Sequence, residues 1–299
     1  MPAPIKITFL GTSGSTPTKD RSLPSVAVEY EGNAYLFDCG EGTQMQLIKY
    51  SISPNRIKAV FITHIHGDHV IGVAGLVRTM ALNKRTAPLY IYVPHGEEDK
   101  IVQLLTFDRA LIGYKIVVVP SKPGKLLEGK GFSIDAFKLR HSVPTLGFIF
   151  REGDRYRFNE ARCKRLGLEG ERHSEILKKG AVQIGKKKIK LNDVATKIAG
   201  RKIVYATDTR PIESTITAAR GADLIIHEAT YTEELKDFAK ERLHSTAKEG
   251  ARVAKMAGAK RLIIFHMSAR YDKPDALLKE ARGVFKKTDA AYDGMRITI

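Results

Sequence analysis

Four side chains able to bind a metal ion fall within six residues in Thr63-His64-Ile65-His66-Gly67-Asp68-His69. Imidazoles and a carboxylate are donors that suit zinc or a similar transition metal, and four so close together point to two ions rather than one. A lone histidine would be read as an ordinary core or surface residue; this cluster is not. Immediately before it, Ile57-Lys58-Ala59-Val60-Phe61-Ile62 reads as a buried strand, rich in β-branched and aromatic residues. The stretch from Val70 to Leu82 reads as a helix starting just afterwards. The ligands are thus predicted on a tight loop at the carboxyl end of a strand, where α/β sheets place their chemistry, with Gly67 supplying the bend.

The rest of the chain has the composition to hold such a site. Its 299 residues, 43% of them hydrophobic, suffice for one large α/β domain or a domain carrying an insertion. No apolar run reaches the length of a membrane span, so no membrane association is expected. The stretch Met1-Pro2-Ala3-Pro4-Ile5-Lys6 lacks a signal pattern. The two cysteines, Cys39 and Cys163, have no CxxC partner. That argues against a disulfide framework and a cysteine zinc site, and leaves the cytoplasm as the expected compartment. A net charge of +17 is an excess that favours a polyanionic partner such as nucleic acid.

Strands are predicted at Ile5–Leu10, then Ser25–Tyr30 and Asn33–Asp38 joined through Glu31-Gly32 as a hairpin. The small residues Gly11 to Ser15 can bring backbone N–H groups near a phosphate. A helix is predicted from Thr43 to about Tyr50, strands at Leu89–Val93 and Lys115–Val119, and a helix near Glu97–Phe107 between them. Strands Phe132–Leu139, Lys202–Thr207, Ala222–Ile226 and Arg261–Phe265 each run into a polar segment: His141, Asp208, His227-Glu228 and His266. On spacing alone His141 is as much an ordinary strand-end histidine as a ligand. A helix over Asp275–Lys286 and a strand near Met295–Ile299 close the chain. Between Arg151 and about Lys202, Lys and Arg exceed Asp and Glu by about nine, apolar periodicity is poor, and Gly185-Lys186-Lys187-Lys188-Ile189-Lys190 reads as a basic hairpin.

The segment His64-Ile65-His66-Gly67-Asp68-His69 matches the HxHxDH signature of the metallo-β-lactamase superfamily, and the chain as a whole resembles the short form of the ribonuclease Z family, the tRNA 3′-processing endonucleases. Pro17-Thr18-Lys19-Asp20-Arg21-Ser22 is similar to that family's PxKxRN loop, with Ser22 in place of Asn. His227-Glu228-Ala229-Thr230 and His244-Ser245-Thr246 match its HEAT and HST motifs, and His266-Met267-Ser268-Ala269-Arg270-Tyr271 its last ligand segment. The resemblance implies an α/β fold, the metallo-β-lactamase αββα sandwich, spanning 1-299 with an inserted basic tRNA-binding arm at 151-200. The arm lacks the family's Gly-Pro motif; Leu168-Glu169-Gly170-Glu171-Arg172 stands there.

It further implies two Zn2+ ions, with Mn2+ or Fe2+ as alternatives. One would be held by His64, His66 and His141, the other by Asp68, His69 and His266, and Asp208 would bridge them, its context Ala206-Thr207-Asp208-Thr209 replacing a Ser-Gly-Asp-Thr-like pattern. Asp68 also counts as catalytic in this scheme. Glu228 beside His244 would keep the imidazole protonated to serve the leaving oxygen; Ser245 also suits a helix N-cap. Lys19, Arg21, Ser245, Thr246 and Arg270 are the implied substrate contacts. Asp38 is either an orienting carboxylate behind a ligand or a turn residue capping the next helix. The implied partners are precursor tRNA and a second copy in a homodimer. A small-molecule phosphodiesterase or thioesterase, or a non-catalytic RNA-binding protein, are the rival readings.

Overall fold

Alternating apolar residues along the strands leave two sheets no stable arrangement but face to face. The computed structural model describes residues 3–108 and 112–299, so Met1 and Pro2 of the opening stretch lie outside the described residues. One seven-stranded sheet runs, in spatial order, Arg296–Thr298, Lys6–Gly11, Ser25–Tyr30, Asn33–Phe37, Ile57–Phe61, Leu89–Pro94, Ile116–Ser121. The other runs Thr288–Ala290, Leu262–Phe265, Leu224–Glu228, Lys202–Ala206, Leu146–Glu152, Phe132–Lys138, Gly124–Gly129. Phe9, Phe37 and Phe61 of the first meet Phe148, Tyr205 and Phe265 of the second in one fully buried cluster. The Phe37 ring lies 5.6 Å from Phe148 and 5.6 Å from Tyr205, stacked on both.

The outer faces are covered by helices. Val73, Leu76, Val77 and Met80 of helix Gly72–Leu82 and Leu47 of Thr43–Lys49 bury against the first sheet. Ala247, Ala251, Val253 and Ala254 of helix Ala247–Met256, with Ala218 and Leu277 from the helices Glu213–Ala219 and Asp275–Val284, bury against the second. The result is the four-layer αββα sandwich that the resemblance implies. Four neighbouring strands of each sheet are parallel, so several strand ends reach one edge together. Among the described residues no helix is long and apolar enough to cross a membrane.

Local chemistry explains the boundaries. Glu31 (φ 47°) and Gly32 (φ 80°) are both left-handed, as a two-residue hairpin turn with the right twist requires. The helix predicted from Val70 instead breaks into Gly67–Val70 and Gly72–Leu82, so Asp68 and His69 sit in a helical turn rather than on a loop. Gly67 is not left-handed; a side chain there would press within 2.9 Å of Ile71. Close approach is sharper at Gly72, where a Cβ would lie 1.9 Å from the Gly40 carbonyl oxygen. Strands Gly124–Gly129 and Thr288–Ala290, at sheet edges, escaped the sequence reading because short polar runs carry no apolar alternation.

The chain divides into two compact units, Met1–Phe150 with Lys202–Ile299, and Arg151–Arg201. The second has its own small core of Cys163, Leu168, Ile176, Val182, Ile189 and Leu191. It contains a ladder of Arg155–Phe158 with Ala195–Ile198 and the hairpin Ala181–Ile184 and Lys187–Lys190. Glu152 receives both a backbone and a forked guanidinium donation from Arg201, closing the unit where the chain enters and leaves. Cys39 and Cys163 are free and buried.

Candidate active site

The seven predicted ligands converge from four chain segments. His64, His66, His141 and Asp208 form one group with donor atoms within 4.8 Å of one another; Asp68, His69 and His266 form another. The Asp208 carboxylate stands between them. Its Oδ1 lies 3.4 Å from His69 Nε2 and 3.2 Å from His266 Nε2, and its Oδ2 lies 3.7 Å from His64 Nε2 and 3.8 Å from His141 Nε2. Each oxygen thus addresses one set of imidazoles. Burial works against the charge on Asp208, but His266, His69 and His64 hold its carboxyl well below the usual range. Burial also keeps His64, His66 and His141 below the ordinary imidazole value, hence neutral and able to donate a lone pair.

Several of these nitrogens face one another at hydrogen-bond distance. His64 Nε2 lies 3.0 Å from His66 Nδ1, His141 Nε2 3.3 Å from the same atom, and His69 Nε2 3.3 Å from His266 Nε2. A shared proton reconciles one such pair of lone pairs; a cation among them reconciles the whole set. The donor set therefore fits divalent metal ions.

Behind the ligands stand groups that fix each ring. Asp38 Oδ2 lies 2.9 Å from His69 Nδ1, while Thr63 Oγ1 lies 3.0 Å from His64 Nδ1 and donates to Asp38. Tyr205 of the opposite sheet donates to Asp38 Oδ2 at 2.9 Å. His141 Nδ1 faces the Leu243 carbonyl at 3.3 Å, and His266 Nδ1 faces Thr230 Oγ1 at 3.2 Å. Asp38 is thus the orienting carboxylate and caps no helix; Gly42 takes the position before helix Thr43–Lys49. Sequence reasoning missed Thr63, Tyr205, Thr230 and the Leu243 carbonyl. Thr230 stood in a motif already singled out, whereas Tyr205 looked like any strand residue.

Glu228 and His244 form a second layer of chemistry. Glu228 is fully buried and accepts from the N–H groups of Thr209 and Ser245, from the Thr230 hydroxyl, and from His244 Nδ1 at 3.2 Å. Burial pulls the His244 pKa down, but the Glu228 charge and hydrogen bond outweigh it and lift the imidazole to about 9. With Nδ1 engaged, the opposite edge of the ring is left to a cavity of about 490 Å³ that His66, Asp68 and Asp208 also line.

The predicted substrate contacts divide. Lys19 is exposed, and Arg270 is exposed in the same cavity, its guanidinium 5.0 Å above the Tyr231 ring and 5.4 Å from that of Phe238. Arg21 is a correction: it is buried and donates to the carbonyls of Ser268 and Tyr271, tying its loop to the last ligand segment. Ser245 and Thr246 are also corrected, because both are buried. Ser245 donates to the Thr209 carbonyl, and Thr246, not Ser245, caps helix Ala247–Met256 through a capping box with Glu249. They hold His244 in place from behind. The Ser15 N–H, one of the predicted phosphate donors, bonds Asp68 Oδ2 at 2.9 Å.

The backbone around the site is strained. Ser15, Asp38, Asp208, Leu243 and His266 all adopt left-handed φ between 52° and 61°. Non-glycine residues pay about 1–3 kcal/mol each for sparsely populated conformations, which cluster at functional sites.

Comparison with known proteins follows this geometry. A model described as the Beta-lactamase superfamily domain matches residues 193–267, and one described as Anti-Pycsar protein Apyc1 matches residues 5–106. Ribonuclease Z of Methanosarcina acetivorans is 38% identical across 99% of this chain and 98% of its own. That of Archaeoglobus fulgidus is 40% identical across 98% of this chain and 97% of its own. The chain belongs to the ribonuclease Z family. The crystal structure of the human tRNase Z, short form, superimposes with a TM-score of 0.72 at 30% identity, covering 98% of each chain. The fold and the His/Asp clusters accord with divalent-metal use.

Asp38→Asn keeps the shape of the side chain but removes the charge facing His69. Affinity for zinc, measured by competition with a chromophoric chelator, should fall about 10- to 100-fold, the usual cost of losing such a partner. Unchanged affinity would mean that Asp38 serves only to join the sheets.

Proposed function

We propose that this chain carries out its family's reaction with the residues gathered at these strand ends. It is a metal-dependent endoribonuclease of tRNA 3′ processing. Its product would be a tRNA with a 3′-hydroxyl and a trailer with a 5′-phosphate. Two zinc ions fit the donors, one at His64, His66 and His141, the other at Asp68, His69 and His266, with Asp208 addressing both. When bound, such ions supply a water of lowered pKa and countercharge for phosphoryl oxygens.

The chain's own groups do the rest. Arg270, exposed beside Tyr231, would hold a phosphate, and the exposed Lys19 would meet the tRNA backbone. The observation that carries the reading is Glu228 buried against His244 in the wall of the ligand cavity. A tRNA 3′ oxygen departs as an alkoxide and needs a proton; His244, held charged by Glu228, delivers it from the edge facing the cavity. A hydrolase of small substrates with good leaving groups has no need of this pair.

His244→Ala should retain two metal ions per chain by elemental analysis yet cleave pre-tRNA about 10²- to 10⁴-fold more slowly. With a nitrophenyl phosphodiester, whose leaving group needs no proton, the defect should largely vanish. Equal defects on both substrates would overturn the assignment.

The unit Arg151–Arg201 is proposed as the tRNA-binding arm, supported by its exposed Lys186, Lys187 and Lys188 on a hairpin. Phe158 pairs with Ala195, so residues 159–194 can be replaced by an Asn-Gly turn without disturbing that ladder. The shortened protein should lose most pre-tRNA binding and much of its salt dependence while still hydrolysing the small phosphodiester. Undiminished pre-tRNA cleavage would make the arm a bystander.

A homodimer is supported by Met45, Ile48 and Ile71, which stand 64%, 60% and 49% exposed on or beside two neighbouring helices. Light scattering should give twice the chain mass for the parent and the single mass for Met45→Glu with Ile48→Glu; a monomeric parent would refute it. The free, buried cysteines fit a cytoplasmic setting.

A further inference from the structure

The ligand cavity continues beyond the metal cluster. Across His141 and Ser142, which line both spaces, it opens into a groove of about 880 Å³ walled by the segments 94–95, 121–123, 138–146 and 212–214. No role is assigned to this groove by the chemistry above. We infer that it holds the single-stranded 3′ trailer of the precursor, gripping its phosphate backbone rather than its bases.

The direction of the reaction places the two halves of the substrate. The inference rests on His244 as the acid: its proton goes to the 3′ oxygen of the retained nucleotide, so the tRNA body lies on the side of His244, Tyr231 and Arg242. The trailer is bonded to the same phosphorus through its 5′ oxygen and must leave the cavity another way. The groove shares His141 and Ser142 with the ligand cavity, and His244, Tyr231 and Arg242 are not among the residues that line it.

The lining suits that cargo. Lys122, Lys138 and Arg140 are exposed along the groove, and among the described residues none of them is in an ion pair. Glu213 is the carboxylate among the lining residues. Three free cations against one carboxylate favour a polyanion. The apolar walls are Pro94, Pro123, Val143 and Ile212, which can rest against ribose; the rings lining the groove are the imidazoles of His95 and His141, and Phe, Tyr and Trp are absent from the lining residues. Contacts to phosphate carry no base information, so trailers of any sequence are accepted alike.

The groove is also rigidly keyed to the metal cluster. The Arg140 N–H donates to Thr209 Oγ1 at 3.0 Å, and the Arg210 N–H donates back to the Arg140 carbonyl at 3.0 Å. Ser214 Oγ donates to the Lys138 carbonyl at 2.6 Å. The backbone of Arg140 is thereby tied to the segment next to Asp208, and that of Lys138 to the start of helix Glu213–Ala219.

The test compares pre-tRNAs that differ only in trailer length, a single nucleotide against a long unstructured trailer, for the full-length parent and Lys122→Ala with Lys138→Ala. The ratio of kcat/KM for long over short trailer should fall about tenfold in the variant, the scale of two lost phosphate contacts, and the salt slope for the long substrate should drop by about 1.4. The loss should be the same for trailers of different sequence. An equal loss on both lengths would place the groove against the tRNA body, and no loss on either would show that RNA does not enter it; both overturn the inference. The nitrophenyl comparison on His244 is read on leaving-group acidity, not trailer length, so failure of the acid assignment shows there separately.

Discussion

A single buried charge holds this molecule's two halves and its chemistry in register. The Asp38 carboxylate, fully inaccessible, accepts from the Thr63 N–H and hydroxyl on its own sheet and from the Tyr205 hydroxyl on the other, and faces His69. Leaving such a charge unpaired in the interior would cost several kcal/mol, so each donor is constrained to its place. Since Thr63 and His69 flank the ligand-bearing turn, the position of that turn relative to the second sheet is set by this one group. Asp208, delivered by the strand that carries Tyr205, arrives opposite it for the same reason.

The legible part of the sequence was the part in which side-chain identity is itself the chemistry. His64, His66, Asp68 and His69 can be named from their types and their place after an apolar run, whereas Asp208 and the αββα order came from the resemblance of the motifs to a known family. What escaped were groups whose identity is unremarkable and whose partners lie far along the chain. Tyr205 is 167 residues from Asp38, and the carbonyl of Leu243 is 102 from His141. Arg21 misled for the opposite reason: a cation in a basic loop looks like a surface contact, and only the fold shows that its guanidinium faces backbone carbonyls. The unit Arg151–Arg201 was read as poorly patterned because a core of eight small and medium residues needs little periodicity to close.

Positive charge and catalytic precision are segregated in this chain. The +17 excess is carried on exposed lysines and arginines, where screening makes each contact weak and adjustable. The ligand cluster is the reverse, with His64, His69, His266 and Glu228 fully buried and each held by hydrogen-bonding neighbours. Attraction of a long polyanion and placement of one phosphorus atom are thereby handled by different physics.

The left-handed turn at Leu243 has a consequence for how such a chain ages. A γ-branched residue gains nothing for the fold by sitting at φ 58°, where glycine would rest without strain. Its carbonyl is useful there only because His141 needs a fixed ring. In a lineage released from its task, this position and its counterparts at Ser15 and His266 would be the first to drift, since relaxing them makes the chain more robust while dismantling the cluster. Stability and function therefore pull in opposite directions at these positions.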